Sequence, residues 1–233
     1  MFNPFRKADP TLTKRRRMIE EQIRGRGVRD EAVLTAMMEI PREEFLPAHL
    51  QLEAYEDRAI GIGLGQTISQ PYIVGYMTEQ LSVSSRHTVL EIGTGTGYQT
   101  AILARIARQV YSVERIAELH ERAARALARL GIHNVSLLVG DGSFGWPEHA
   151  PYDRIIVTAG APHVPQPLVD QLAEGGLMVV PVGGESEQTL VRVSRIGGRV
   201  AEQALLGCRF VKLIGEEGWQ VERGPDPSVI NSD

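Results

Sequence analysis

Apolar positions along the middle of the chain alternate between short continuous runs and longer segments with helical spacing. The runs predict strands buried on both faces, and apolar residues spaced three or four positions apart predict helices. Strands are predicted at residues 87–92, 109–114, 134–139, 152–158 and 177–182, with helices at residues 97–107, 116–130 and 165–172. Regular alternation of this kind favours a parallel sheet with right-handed crossovers.

The N-terminal part of the chain has a different pattern. Sparse apolar positions predict a helix over residues 11–24, and a broader apolar face predicts a second helix over residues 30–38, with Asp30 as its N-cap. Residues 42–64 show no clear period, and we interpret them as a long connection with short turns. These residues therefore predict a helical extension that precedes the alternating region.

Two further elements border the alternating region. A helix is predicted at residues 70–81, with Ser69 as its N-cap. Residues 189–194 and 199–204 flank Gly197-Gly198, which is the signal of a β-hairpin. The predicted fold is therefore α/β: a doubly wound, mostly parallel, Rossmann-like sheet with an antiparallel C-terminal edge and an N-terminal helical extension.

The length and composition suit one core with an appendage. The chain has 233 residues, of which 42% are hydrophobic and 23% charged. We expect an N-terminal helical extension at residues 1–64, packed on a core at residues 65–215, and a C-terminal tail at residues 216–233. The tail is polar and proline-containing from Gly224, so poor order is expected there.

Composition also narrows the classes of function. The one cysteine, Cys208, excludes an intramolecular disulfide and a cysteine zinc cluster, and no histidine spacing indicates a metal site. A net charge of -4 argues against binding to nucleic acid, and the basic run at residues 14–17 is interpreted as a solvated helix face. Neither a signal peptide nor a membrane span is evident, so a cytoplasmic protein without membrane contact is expected.

The most informative stretch is residues 89–98, VLEIGTGTGY, in which an apolar run ends in three alternate glycines. Gly93, Gly95 and Gly97 predict a tight turn at which a nucleotide-type ligand approaches the backbone. A dinucleotide fingerprint has the spacing G-x-G-x-x-G, and here Tyr98 occupies the place of its last glycine. A dehydrogenase is therefore disfavoured.

The acid Glu91 before these glycines indicates another cofactor. A strand-end acid followed by G-x-G-x-G resembles motif I of the class I methyltransferases, which bind S-adenosylmethionine. That cofactor carries a sulfonium cation and an ammonium group, and a negative strand end suits a positive ligand better than a pyrophosphate. The resemblance implies S-adenosyl-L-methionine as the cofactor, with Glu91, Gly93, Gly95 and Gly97 among the residues that bind it.

Further acids follow the next predicted strands, where ligands bind in open parallel sheets. Glu114 ends the second strand, where class I methyltransferases place the acid that accepts both ribose hydroxyls; the alternative is a plain helix-start acid. Asp141, followed by Gly142, could accept from the adenine amino group, and its alternative is a turn aspartate. These residues complete the expected cofactor site.

Three segments outside motif I are more specific: IPREEFLP at residues 40–47, GLGQTISQPY at residues 63–72 and VTAGAPHVP at residues 157–165. Together they resemble the protein-L-isoaspartate O-methyltransferase family, and the resemblance extends from about residue 17 to residue 215. Four positions depart from the family pattern, of which Ala59 and Gly61 fall in a segment that is usually richer in proline and larger apolar residues. Gly160 stands where the family often has alanine, and Lys212 replaces a proline common in the last strand, which is thought to touch the substrate backbone.

The resemblance implies methyl transfer to the free α-carboxylate of L-isoaspartyl residues in aged proteins and peptides, by a monomeric enzyme. Ser69 and Thr67 are the candidates to hold that carboxylate. The family places its active-site serine at Ser69, which is the preferred catalytic residue, and Thr67 is grouped with the cofactor-binding residues. Two alternatives stay open: methylation of another carboxylate, such as a modified aspartate or a small acid, and a cofactor-binding module without catalysis.

Overall fold

The first described segment of the chain is helical. The computed structural model describes residues 11–220; the tail from Gly224 lies outside them. Helix α1 spans Leu12–Arg17 and continues through a π-helical segment, Met18–Ile23, and a 3-10 turn, Arg24–Arg26. The predicted first helix is therefore present, although its second half widens from α to π geometry before it ends.

Helix α2 spans Glu31–Glu39 and begins at the predicted cap. The Asp30 side chain accepts hydrogen bonds from the N–H groups of Ala32, at 2.8 Å, and Val33, at 3.4 Å. These contacts satisfy two of the backbone donors that a helix start leaves unpaired. The prediction of Asp30 as an N-cap is confirmed.

The region predicted as a long connection contains more order than its pattern indicates. Two 3-10 turns, Arg42–Phe45 and Ala48–Glu53, precede strand β1 at Ile60–Gly63. β1 pairs antiparallel with β2, Gln66–Ile68, so this hairpin crosses the expected boundary between residues 64 and 65. The prediction missed β1 because a four-residue strand, half of it glycine, is too short to show a period.

Helix α3 spans Pro71–Leu81, as predicted, but Ser69 is not its N-cap. Gln70 occupies that position with φ -51° and ψ 136°, and no side chain caps the helix. The physical reason is the proline, because the residue before a proline is pushed out of the helical region into extended geometry. Ser69 is therefore left outside the helix, between β2 and the Gln70 cap.

Five parallel strands form most of the central sheet. They are β3 (Thr88–Ile92), β4 (Gln109–Glu114), β5 (Val135–Val139), β6 (Tyr152–Val157) and β7 (Leu172–Gly183). The helices among them are α4 (Tyr98–Ile106), α5 (Ala117–Arg129) and α6 (Gln166–Asp170). Every predicted strand and helix of the alternating region is present, and only β7 is substantially longer than predicted.

An antiparallel hairpin completes the sheet, as predicted. Strands β8, Gln188–Ile196, and β9, Arg199–Cys208, are joined by Gly197 and Gly198, both with positive φ (60° and 72°). Two successive positive φ angles are required by the type I′ turns that match strand twist. The sheet order is β5-β4-β3-β6-β7-β8-β9. The chain therefore reverses its direction of winding at β3, and ligands bind beyond the carboxyl ends of strands at such a point.

The N-terminal residues and the sheet region share one hydrophobic core. Buried Met18 and Phe45 belong to the same cluster as Tyr98 of α4 and Leu119 of α5. The rings of Phe45 and Tyr98 meet edge to face, with centroids 5.6 Å apart. This packing brings the segment before α3 next to the glycine turn that follows β3.

Candidate active site

The glycine turn after β3 needs its three glycines for different reasons. All have positive φ: 95° at Gly93, 55° at Gly95 and 88° at Gly97. A Cβ at Gly93 would lie 2.4 Å from the Thr158 hydroxyl, and one at Gly97 would lie 3.1 Å from the Ala123 methyl. A Cβ at Gly95 would meet no atom of the described residues within 4 Å. Two glycines therefore permit close packing, while Gly95 presents backbone to open space.

Glu114 links the end of β4 to that turn. One carboxylate oxygen accepts a hydrogen bond from the N–H of Gly95, and the other accepts from the N–H of Ile116, both at 2.9 Å. The side chain is 5% exposed and lines the cavity described below. Each carboxylate oxygen can accept more than one hydrogen bond, so both keep capacity for a ligand.

Glu91 lies behind the cavity wall. Its side chain is fully buried, and one carboxyl oxygen accepts hydrogen bonds from the hydroxyls of Thr100, at 2.5 Å, and Ser112, at 2.6 Å. The Ser112 hydroxyl also shares a hydrogen bond with that of Thr94, which lines the cavity. Burial raises the pKa of Glu91 to about 8, despite these hydrogen bonds. The expected carboxylate facing a ligand is therefore not found at Glu91: the group is buried behind the wall, and burial disfavours its charged form.

Asp141 uses its carboxylate inside the protein. One oxygen accepts from the N–H and the hydroxyl of Ser143, at 2.9 and 2.7 Å, and the other accepts from the N–H of Glu216 at 2.9 Å. This geometry is the turn-aspartate alternative. Gly142 lines the cavity, and a Cβ there would lie 2.5 Å from the Ile92 side chain. Asp141 therefore orients the backbone of the cavity wall and anchors the C-terminal segment.

Thr67 and Ser69 line another part of the same cavity. The Ser69 hydroxyl makes no hydrogen bond within residues 11–220, while its carbonyl accepts from the Arg42 guanidinium at 2.7 Å. The next side chain, Gln70, donates to the Asp57 carboxylate at 2.8 Å. The backbone at Ser69 is thus fixed from two sides, and its hydroxyl is available to a ligand.

One cavity of 640 Å³ joins these groups. Its walls come from β2 and α3, the glycine turn, the ends of β4 and β6, and the segment after β9. The predicted site residues that line it are Thr67, Ser69, Gly93, Gly95, Glu114 and Gly142. Glu91, Gly97 and Asp141 support the walls from behind.

Some cavity residues were not predicted from the sequence. Arg26, Asp57 and Arg58 line the rim next to Ser69. The Arg26 guanidinium lies 3.6 Å from the ring centroid of Tyr72 and 3.4 Å from Asp57. Their sequence signal is weak, because charged residues in an aperiodic segment are most often solvated loop positions.

The segment after β9 closes one side of the cavity. The N–H of Gly160 donates to the Val211 carbonyl at 2.7 Å, and the N–H of Leu213 donates to the Gly160 carbonyl at 2.8 Å. The Trp219 indole also donates to that carbonyl, at 3.1 Å. Lys212 lies between the two bonded positions and lines the cavity, and its ammonium is 2.8 Å from the Glu185 carboxylate.

The described part of the chain offers neither a metal site nor a membrane-spanning helix. Residues 11–220 hold no group of three or more histidine, cysteine, aspartate or glutamate side chains that could bind a metal ion. Within the same range, each helix is too short or too polar to cross a membrane.

Comparison with known proteins agrees with this architecture. A sequence model of the protein-L-isoaspartate(D-aspartate) O-methyltransferase family matches residues 13–218. The chain is 53% identical over 218 residues to the protein-L-isoaspartate O-methyltransferase of Methanoculleus marisnigri, covering 94% of this chain and 99% of that one. It is 56% identical over 208 residues to protein-L-isoaspartate O-methyltransferase 2 of Pelobacter propionicus, covering 88% and 92%.

A solved structure shows the same relationship. A protein-L-isoaspartate O-methyltransferase superposes with a TM-score of 0.80 at 34% identity, covering 88% of this chain and 67% of that one. The family match spans most of the chain, from the first helix to the segment that closes the cavity. The chain therefore belongs to the protein-L-isoaspartate(D-aspartate) O-methyltransferase family.

Proposed function

We propose that this protein transfers a methyl group from S-adenosylmethionine to the free α-carboxylate of L-isoaspartyl residues in aged proteins and peptides. The methyl ester then initiates repair through a succinimide. The observation that carries the proposal is the shared cavity, in which the glycine turn and Glu114 line one part and Ser69 lines another. A methyl donor and an acceptor bound in one cavity can meet directly, and membership of the family supports this assignment.

The residues present fit S-adenosylmethionine. The open space above Gly95 allows a ligand to approach the backbone, and Glu114 offers the acceptors that a ribose diol requires. The cavity volume also lies within the usual range of about 300–1,000 Å³ for small-ligand sites. We assign cofactor binding to Gly93, Gly95, Glu114 and Gly142 by contact.

The other predicted cofactor residues would act indirectly. Glu91 would hold Ser112 and through it Thr94, and Asp141 would hold the turn that presents Gly142. Gly97 allows the start of α4 to pack closely on Ala123 of α5. Mutation of these residues is therefore expected to change the shape of the site more than its contacts.

The acceptor is assigned to Ser69. Its hydroxyl reaches the cavity and has no competing partner within the described residues, so it can donate a hydrogen bond to a carboxylate. A neutral donor also brings no positive charge against the cationic cofactor. Thr67 lines the same wall and is kept as a neighbouring contact, either to the acceptor or to the cofactor.

The chemistry requires little from the protein beyond positioning. S-adenosylmethionine supplies an electrophilic methyl group on a positively charged sulfur. A free α-carboxyl has an ordinary pKa of about 3.3–3.7, so the acceptor oxygen is already ionised at neutral pH and needs no general base. Ser69 would orient that oxygen, and the cavity walls would exclude water. Orientation effects of this kind can contribute up to about 7–11 kcal/mol to catalysis.

Another carboxylate acceptor is the second candidate, but the family match favours isoaspartyl residues. The test is transfer of labelled methyl from S-adenosylmethionine to a short L-isoaspartyl peptide and to its L-aspartyl isomer, with base-labile ester as the readout. Ester on the isoaspartyl peptide alone supports the proposal. Equal ester on both peptides, or ester on neither while the cofactor binds, would overturn it.

The expectations on assembly and location stay predictions. We propose a monomer, cytoplasmic and without nucleic-acid or membrane partners, which acts on isoaspartyl-containing proteins and peptides. Sedimentation equilibrium of the purified chain tests the monomeric state, and a mass above that of one chain would contradict it. Fractionation of the source cells tests the cytoplasmic location.

A further inference from the structure

Arg42 is a fully buried residue directly behind the acceptor part of the cavity. Its Nε donates to the carbonyl of Ala54 and its Nη2 donates to the carbonyl of Ser69, both at 2.7 Å. Its guanidinium carbon lies 4.9 Å from the ring centroid of Tyr98. The remaining nitrogen, Nη1, is buried and makes no hydrogen bond to residues 11–220.

The charge of Arg42 has no counter-ion among residues 11–220, since no carboxylate there forms an ion pair with it. Its titratable neighbours are Tyr98 and Tyr55. Burial lowers the pKa of Arg42 to about 10, so the group is still a cation at neutral pH. Buried charges are normally paired, because removing an ion from water is costly. An unpaired one beside a site indicates a role in that site.

The surroundings of Arg15 show the contrast. Arg15 is also buried, but it forms an ion pair with Glu43 at 3.4 Å and a hydrogen bond with the Tyr55 hydroxyl at 2.9 Å. Its described hydrogen bonds and ion pair are with residues of the N-terminal layer, among them Tyr55, Met38 and Glu43. Comparison of the two arginines therefore distinguishes the loss of a buried, ion-paired arginine from the loss of the arginine that holds Ser69.

Arg42 touches the cavity wall at two points, because both Ser69 and Tyr98 line the cavity. We propose that Arg42 is a positioning residue for the acceptor: it anchors the backbone of Ser69 and places an uncompensated positive charge behind the carboxylate subsite. This inference rests on the proposed function. A positive charge in a poorly solvated wall attracts an anion without contacting it. The Arg42 guanidinium would act in this way on the acceptor carboxylate, from the other side of the cavity wall.

The test compares Arg42→Gln, which removes the charge, with Arg42→Lys, which keeps it, and with Arg15→Gln as a control for loss of a buried arginine. Thermal unfolding first establishes that each variant folds. Arg42→Gln is expected to raise KM for an L-isoaspartyl peptide on the order of tenfold, while the calorimetric Kd for S-adenosylmethionine stays within about twofold. Arg42→Lys and Arg15→Gln are expected to change this KM by less than about threefold.

A KM of Arg42→Gln equal to that of wild type or of Arg15→Gln would overturn the inference, and so would an equal loss of cofactor affinity. If Arg42→Gln does not fold, the test is the dependence of the peptide KM on pH in Arg42→Lys and in wild type. A buried lysine loses its proton more readily than arginine, so its peptide KM should rise at alkaline pH while that of wild type stays level; parallel profiles would refute the role. Failure of the proposed function is distinct, because it would be seen in the wild type itself, as no ester on the isoaspartyl peptide or as equal ester on its aspartyl isomer.

Discussion

The Glu114 carboxylate accepts a hydrogen bond from the N–H of Gly95 at 2.9 Å, which ties the end of β4 to the turn after β3. Gly95 is the turn position at which a Cβ would meet no atom within 4 Å. The acid therefore fixes the shape of the turn and still faces the cavity. This double role makes Glu114 the most informative residue of the cofactor part of the site.

Glu114→Ala is expected to weaken S-adenosylmethionine binding by at least about 10- to 100-fold, since even one hydrogen bond to a charged group is worth about 1.5–3 kcal/mol. The loss has two sources, the ribose contacts and the released N–H of Gly95. Isothermal titration calorimetry measures it. Glu118→Ala is the matched control, because it removes the same charge from the exposed first turn of α5. Unchanged affinity in Glu114→Ala would remove this residue from the site.

Ser69→Ala is expected to lower methyl transfer to an isoaspartyl peptide by about 10- to 100-fold and to leave cofactor affinity within about twofold. Its melting temperature should stay close to wild type, because the hydroxyl makes no hydrogen bond within the described residues and caps no helix. Steady-state kinetics beside calorimetry separates these effects.

Thr67→Ala is the comparison for Ser69→Ala, since both side chains line the same wall. A larger loss of transfer in Thr67→Ala than in Ser69→Ala would move the acceptor contact to Thr67. If Thr67→Ala loses cofactor affinity and Ser69→Ala does not, Thr67 is a contact of the cofactor. Wild-type rates in both variants would contradict the acceptor assignment altogether.

The difference between Glu91 and Glu114 shows how far the sequence could define the site. Both acids stand at strand ends in the sequence, and both were predicted to bind the cofactor. Glu114 is the last residue of β4 and reaches the turn, whereas Glu91 precedes the last residue of β3 and is fully buried. In the paired strands Glu91 lies opposite Ser112, so it stands two positions before the level of Glu114 on the same face of the sheet, where its carboxyl is covered instead of reaching the cavity. The predicted ends of both strands, residues 92 and 114, agree with the structure; the depth of each carboxylate depends on the register between neighbouring strands, which the local pattern does not give.

Long-range contacts account for the rest of what the sequence did not reveal. The alternation of strands and helices was sufficient for the sheet, because each crossover depends on local pattern. The contacts of Gly160 with Val211 and of Arg42 with Ser69 join positions far apart in the chain, and nothing in the local pattern indicates them. The cavity wall after β9 and the buried arginine are visible only after folding.

Glu91→Gln is expected to change how stability depends on pH. The pKa of Glu91 in the folded protein, about 8, lies above the ordinary value of 4.5. The folded state therefore holds the proton more tightly, and this contribution to stability is present below pH 4.5 and lost as the pH rises through about 8. One such group gives a slope of at most about 1.4 kcal/mol per pH unit.

Urea unfolding across that pH range measures the effect. The free energy of unfolding of wild type should fall with rising pH relative to that of Glu91→Gln, because glutamine keeps a similar shape and cannot ionise. Glu118→Gln, at an exposed position, serves as the control and should follow wild type. Parallel curves for wild type and Glu91→Gln would show that Glu91 is ionised in the folded state.

Lys212→Pro tests the departure from the family pattern. Gly160 bonds to the carbonyl of Val211 and the N–H of Leu213, and the N–H of Lys212 takes no part in these bonds. Proline should therefore be tolerated at this position, with a free energy of unfolding within about 1 kcal/mol of wild type. The substitution removes an ammonium from the cavity rim and leaves Glu185 unpaired. Peptides with glutamate beside the isoaspartate should then lose affinity relative to peptides with lysine there.

A change of about threefold in this preference is expected, because exposed charge pairs are worth at most about 1 kcal/mol. The measurement is the ratio of kcat/KM for the two peptides in wild type and in Lys212→Pro. Lys14→Met is the control, since Lys14 donates to the Leu52 carbonyl and is not part of the cavity wall. If Lys212→Pro leaves this ratio unchanged, the Lys212 charge does not act on the peptide residue beside the isoaspartate. The flanking preference would then be set by the backbone of the segment after β9.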